Sequence, residues 1–202
     1  MASPSFDQPD LKATYTVEVK APGSWNVITA VRESEVEVEE PDNNKHWRFP
    51  TTPRFSTYIF PLHAGQFRVW ENDSGKVPLR LFARHSMAEH LNVEEWFDFT
   101  RIGLDFFGAY FAMAFPYSKY DQLIVPEFNI GGMENVGAVT YNERYLKRGD
   151  YTAEDRETLA DVLLHELSHM WLGDLVTPDW WNGLWLKESF ATYMASLALA
   201  NG

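Results

Sequence analysis

The 202-residue chain contains no cysteine, which excludes disulfides, thiolate nucleophiles and every cysteine-ligated zinc or iron–sulfur site. Any transition metal must therefore be held by histidine and carboxylate. No uninterrupted apolar stretch approaches the roughly 20 residues that cross a bilayer. The opening stretch, Met1 to Asp10, has neither the basic nor the apolar region of a signal peptide. A soluble, cytoplasmic chain is expected. Basic residues are also scarce, 17 Lys and Arg against 29 Asp and Glu for a net charge of −12, so the electrostatic footprint of a nucleic-acid binder is missing. The chain is instead rich in core-forming residues, 45% hydrophobic and 15% aromatic. That suffices for one large domain or parts of two and excludes general disorder.

Residues 11 to 82 alternate apolar and polar positions in short runs, among them Tyr15, Val17 and Val19, then Val36 and Val38, then Phe67 and Val69. Period two predicts strands, and the turn-formers at 21–24, 42–44 and 72–75 predict that they pair antiparallel. The acidic run Glu33 to Glu40 interleaves with valines and reads as the wet face of a strand. From Asn92 the pattern changes. Asn92 and Glu95 cap an aromatic helix, Trp96 to Phe115, that stops at Pro116. Strands are expected at Leu123–Val125 and Val136–Tyr141, then a helix capped by Thr152 and Asp155 that runs to about Gly173, then a last helix from Leu184 to Ala200. The fold class is α+β, with a β unit over residues 1–84 and a mixed unit over 85–202.

Within the penultimate helix lies His165-Glu166-Leu167-Ser168-His169, an H-E-x-x-H sequence. At about 100° per residue the two histidines stand about 40° apart, so both imidazoles can reach one ion. Leu159, Leu163, Leu167 and Met170 form the opposite side. A catalytic zinc takes three protein ligands and leaves a fourth position open. Glu188, with eighteen residues between it and His169, meets that demand from an apolar helix where an unpaired carboxylate would be costly. Taken alone, the histidines also fit a core pair, and Glu188 a hydrogen-bonded carboxylic acid.

His165-Glu166-x-x-His169 and Glu188, within HELSHMWLGDLVTPDWWNGLWLKESFA, resemble the zinc signature of the aminopeptidase N family of gluzincin metallopeptidases. Gly131-Gly132-Met133-Glu134-Asn135 is similar to that family's G-x-M-E-N motif. PSFDQPDLKAT (Pro4 to Thr14) and WRFPTTPRFSTYIF (Trp47 to Phe60) resemble segments of its amino-terminal β domain. The resemblance implies the C-terminal part of an antiparallel β-rich N-terminal domain followed by the N-terminal lobe of a thermolysin-like catalytic domain. It further implies one zinc ion on His165, His169 and Glu188, Glu166 as general base, and peptide substrates with a free N-terminus bound by Gly131, Gly132, Met133, Glu134 and Asn135. A free α-amine, with a pKa near 7.7 to 8, is largely cationic at neutral pH. Glu134 would therefore select chain ends. Glycines at 131 and 132 would let a substrate backbone add to a sheet edge.

The family's oxyanion-stabilising tyrosine lies farther beyond the zinc glutamate, and Tyr193 is too close to Glu188 to match it. An internal fragment of a longer enzyme is expected, with no membrane span in the segment, an uncovered apolar face on the last helix and an oligomeric state left open. Asp161 or Asp174 is expected to orient a ligand imidazole. Trp171, Trp180, Trp181 and Trp185 are expected in the core, and His46, His63, His85 and His90 in ordinary roles. Three other activities stay open: a thermolysin-type endopeptidase, a leukotriene hydrolase-like bifunctional aminopeptidase and epoxide hydrolase, and a non-catalytic interaction fragment.

Overall fold

The computed structural model describes residues 5–201; Pro4, at the head of PSFDQPDLKAT, lies outside them. The alternating segment folds into small antiparallel ladders. β1 (Lys12–Ala13) pairs with β6 (Phe55–Ser56), β2 (Glu18–Pro22) and β4 (Glu35–Glu39) flank β5 (Asn44–Arg48), and β3 (Asn26–Thr29) pairs with β7 (Leu62–Gly65). Val19 and Val36 both stand opposite Trp47. Ala21, Val27, Val31, Trp47 and Phe49 close a small core. The acidic strand is wetter than its alternation suggests. β4 is an edge, Val36 and Val38 are themselves exposed, and Arg48 binds Glu35 at 2.8 Å and Glu37 at 2.7 Å.

The remaining strands are β8 (Phe67–Asn72), β9 (Leu79–Arg84), β10 (Tyr120–Val125), β11 (Gly132–Met133) and β12 (Ala138–Asn142). They form one sheet in the order β11-β12-β10-β9-β8. β9, β10 and β12 run parallel, while β8 and β11 are antiparallel edges. Parallel neighbours need a crossover, and α1 (Val93–Tyr110) supplies it between β9 and β10. On one face, Leu81, Tyr120 and Tyr141 pack with Trp96 and Phe107 of α1 and with residues of α2 (Ala153–Ser168) and α3 (Leu184–Asn201). On the other, Phe82, Leu123 and Ala138 receive Ile28 from β3. The molecule is thus layered as β unit, mixed sheet and helices.

β8 and β9, expected in the first unit, hydrogen-bond into the sheet of the second. A division at residue 84 would cut away the strand partnering β10. The change of periodicity there marks the passage from strand to helix, and we propose that the units divide ahead of Phe67.

Two helices are shorter than expected. α1 ends at Tyr110 because Ala112 turns left-handed (φ 50°) and the Met113 amide caps the Gly108 carbonyl at 3.1 Å. α2 ends at Ser168, where the amides of Met170 and Trp171 bond three residues back, at 3.1 Å each. Both expected N-terminal caps are present, Asn92 accepting from Glu95 and Thr152 forming a capping box with Asp155. Of the four tryptophans only Trp171 is core. Trp180 and Trp185 are exposed, and Trp181 stacks edge-on against Tyr58 with ring centres 5.1 Å apart. The apolar face of α3 is uncovered at Leu184, Trp185, Leu186, Phe190 and Tyr193. Among the described residues no helix is long and apolar enough to cross a membrane.

Candidate active site

The buried side of α2 fixes the helix against α1 and α3 through Leu159, Leu163 and Leu167. His165 and His169 therefore project together. Although the ladder tightens at its end, the His169 amide still reaches the His165 carbonyl at 3.4 Å, and the two imidazoles keep their one-turn spacing. Their Nε2 atoms lie 3.1 Å apart, and Oε2 of Glu188, from α3, lies 3.6 Å and 3.7 Å from them. A tetrahedral ion with bonds of roughly 2.0–2.2 Å separates its donors by about 3.3–3.6 Å. The three groups can hold such an ion.

The outer ring nitrogens fix the tautomers. Nδ1 of His169 lies 2.9 Å from the Leu172 carbonyl, which only accepts, so it carries the proton. Nδ1 of His165 lies 3.4 Å from Oγ1 of Thr192, whose own proton goes to the Glu188 carbonyl at 3.0 Å. Both inner nitrogens then present lone pairs to each other, an arrangement that a cation between them resolves. Neither expected aspartate orients a ring. Asp161 is exposed. Asp174 is buried with both carboxylate oxygens unpartnered, its pKa pushed well up by burial and by Glu134.

The G-x-M-E-N segment reaches the same place from the sheet. β11 is the outermost strand, pairing Gly132 with Tyr141 and Met133 with Thr140. The Gly131 carbonyl accepts from the Asn142 amide at 2.9 Å, and Asn135 accepts from the Thr140 hydroxyl at 3.1 Å. Met133 packs against the cluster of Phe55, Ile59 and Val136. This framework delivers Glu134 to a position where Glu134, Glu166 and His169 have donor atoms within 4.8 Å of one another. A side chain at Gly132 would place its Cβ 2.6 Å from Cγ of Glu166, so glycine there leaves the carboxylate its place. Glu166 is 5% exposed, and burial, then repulsion from Glu134 and Glu188, raises its pKa well above the usual range.

Sequence reasoning missed Lys187. It is 5% exposed, its ammonium forms an ion pair with Oε1 of Glu134 and lies 2.9 Å from Oε1 of Glu188, and the Tyr58 ring stands over it at 5.0 Å. Gly173, left-handed at φ 125°, makes room for its stem, since a Cβ there would fall 2.9 Å from Cγ of Lys187. A lysine next to Glu188 in an otherwise apolar helix was the available signal. Even with it, four carboxylates (Glu134, Glu166, Asp174 and Glu188) gather around Lys187, with Lys12 beside Asp174. A cluster of acidic groups with few cations suits a metal ion, and the donor set of two imidazoles and a carboxylate suits zinc.

The N-terminal unit braces this region. Lys12 donates to the carbonyls of Asp174 and Leu175 at 2.9 Å and 3.0 Å, and Trp181 donates to the Asp7 carbonyl at 2.8 Å.

Comparison with known proteins matches residues 96–201 to the peptidase family M1 domain and residues 1–59 to the peptidase M1 N-terminal domain. The chain is 50% identical over 193 residues to aminopeptidase N of Streptomyces lividans, covering 94% of this chain and 22% of that protein. It is 37% identical to aminopeptidase Ey of Gallus gallus (97% and 21% covered) and 36% identical to aminopeptidase N of Canis lupus familiaris (96% and 20%). It spans about a fifth of the length of these relatives. With one family model matching more than half of the chain and a second matching ahead of it, the chain belongs to peptidase family M1.

Proposed function

We propose that this segment carries the metal-binding and amine-recognising parts of a zinc aminopeptidase that removes the first residue from peptides with a free N-terminus. The observation that carries this reading is the closeness of Glu134 to the histidine pair, within 4.8 Å of the His169 donor atom. In a substrate only one Cα separates the terminal nitrogen from the first carbonyl carbon, about 2.5 Å. A carboxylate that reads the ammonium must therefore sit almost against the group that acts on the carbonyl. Glu134 does, as a buried carboxylate.

His165, His169 and Glu188 would hold zinc. Zinc, when bound, supplies Lewis-acid chemistry that polarises a carbonyl and acidifies water. Glu166, one residue after a ligand and facing the same centre, takes a proton on its carboxylate and returns it to the departing amine. β11, the open edge of the sheet, offers its backbone to an extended substrate, with the missing side chain of Gly132 allowing close approach. The test uses the complete protein that contains this segment, assayed on aminoacyl chromogenic amides and their N-acetylated forms with and without chelator. Cleavage confined to the free amines, lost on chelation and restored by zinc, is expected. Equal cleavage of the acetylated forms would sink the reading.

A further inference from the structure

Lys187 makes two contacts of one kind. Its ammonium takes Oε1 of Glu134 and Oε1 of Glu188, the latter at 2.9 Å. Oε2 of Glu188 is the atom that faces the two imidazoles. Glu134 also has a carboxylate oxygen within 4.8 Å of the donor atoms of Glu166 and His169. The lysine itself has little freedom, with Tyr58 above it, Gly173 beneath its stem and 5% of its surface exposed.

Resting on the aminopeptidase reading, we infer that Lys187 is a positioning residue that ties the amine-recognising carboxylate to the metal-binding one. It thereby sets the spacing at which the site accepts a free amine. Glu134 arrives from a strand edge and Glu188 from a helix, and no other side chain among the described residues bonds both. If the distance between amine and carbonyl is to be read to within one bond, these two carboxylates need a common anchor. An ammonium is suited to the task because it donates several hydrogen bonds and compensates negative charge in the same place. The consequence is selectivity for α-aminoacyl over β-aminoacyl substrates, in which the amine stands one methylene farther from the carbonyl.

The experiment compares kcat/KM for α-alanyl and β-alanyl p-nitroanilide in the full-length protein, wild type against Lys187→Met, Lys187→Gln and Lys187→Arg, together with zinc affinity measured by chelator competition. Lys187→Met should still bind one zinc, with a dissociation constant about tenfold higher, the lower end of the effect of losing a group that supports a ligand. The preference for α over β should fall at least tenfold. Lys187→Arg, which keeps the cation, should retain most of that preference, and Lys187→Gln serves if the Met variant does not fold. A kcat/KM that drops by the same factor for both substrates would overturn the inference, because a purely structural lysine would lower both alike. Unchanged zinc affinity would overturn the link to Glu188. Glu134→Ala separates the two levels of argument: if it leaves the demand for a free amine intact, the aminopeptidase reading itself fails, whatever Lys187 does.

Discussion

Oγ1 of Thr192 lies 3.4 Å from Nδ1 of His165 while donating to the carbonyl of Glu188 at 3.0 Å. One hydroxyl on α3 thus orients a ring on α2 and is itself oriented by the backbone of the third donor. Thr192→Val keeps the shape and removes the acceptor. Supporting groups of this kind contribute 10- to 100-fold in metal affinity, and because Thr192 is exposed and water can replace it, the loss should be about tenfold. Chelator competition measures it, with Thr192→Ser near wild type. A Val variant that binds zinc unchanged removes Thr192 from the site.

Glu166→Gln is nearly isosteric and leaves the packing against Gly132 undisturbed. It cannot accept and return a proton. Zinc should remain at one per chain while turnover of the full-length protein falls by about 10² to 10⁴, read by steady-state kinetics alongside elemental analysis. Loss of the metal along with turnover would instead point to a role in holding the ion.

The histidine pair and Glu188 were legible because helical spacing and the cost of burying a carboxylate act within one or two segments. The capping residues Asn92 and Thr152 were legible for the same local reason. Long-range pairing was not. That β9 lies between β8 and β10 is decided by both faces of its residues 79–83 being covered, a fact about partners distant in sequence. The supporting groups on the histidines escaped as well. One is the carbonyl of Leu172, which any residue could supply, and the other is a threonine one turn past Glu188. Asp161 and Asp174 look better on paper because carboxylates are the stronger acceptors. The fold exposes the first and buries the second with neither carboxylate oxygen hydrogen-bonded.

His63 offers a pH test. It lies on β7, its Nε2 is 3.3 Å from the Thr140 hydroxyl that holds Asn135, and burial, reinforced by Lys119 and only partly opposed by Asp121, lowers its pKa to about 4. The unfolded chain, with a histidine near 6.5, therefore binds the proton more readily than the folded one between pH 6.5 and 4, so this group's contribution to stability is present above 6.5 and is lost as pH falls to 4. The loss should reach about 3 kcal/mol. His63→Gln keeps a donor toward Thr140 and cannot titrate. Urea midpoints of wild type should fall more steeply than those of the variant across this window, and parallel profiles would contradict the assignment.

Trp185 and Phe190 stand exposed on α3, 6.5 Å apart between ring centres, beside Leu184, Leu186 and Tyr193. An apolar face of this kind drives association in water. The 202-residue chain on its own should run above monomer mass in light scattering after gel filtration, and the pair Trp185→Lys and Phe190→Glu should shift it toward monomer. A wild-type chain that is already monomeric at tens of micromolar would show the face to be tolerated.

Lys119 joins the two β layers from inside. It is 1% exposed, and its ammonium donates to the Thr29 carbonyl at 2.8 Å and the Gly137 carbonyl at 2.7 Å while pairing with Asp121 at 2.7 Å. Asp121 is also held by two hydrogen bonds from Arg80, at 2.9 Å and 2.7 Å. Thr29 ends β3, and Gly137, left-handed at φ 64°, closes the loop that carries Glu134 and Asn135. Replacing Lys119 by Met removes the ammonium from both carbonyls, leaving that of Gly137 to the Asp121 amide at 3.0 Å, and shifts Asp121 onto Arg80 alone, a break in a buried pair that costs about 3–5 kcal/mol. The same change frees the loop behind Glu134. Amide exchange at residues 134 to 138 should therefore accelerate more than exchange in β10, whose ladder to β9 is untouched. Uniform acceleration would mean that Lys119 supports only global stability, and a cost below about 1 kcal/mol, the net worth of an ordinary hydrogen bond, would mean that Arg80 compensates for its loss.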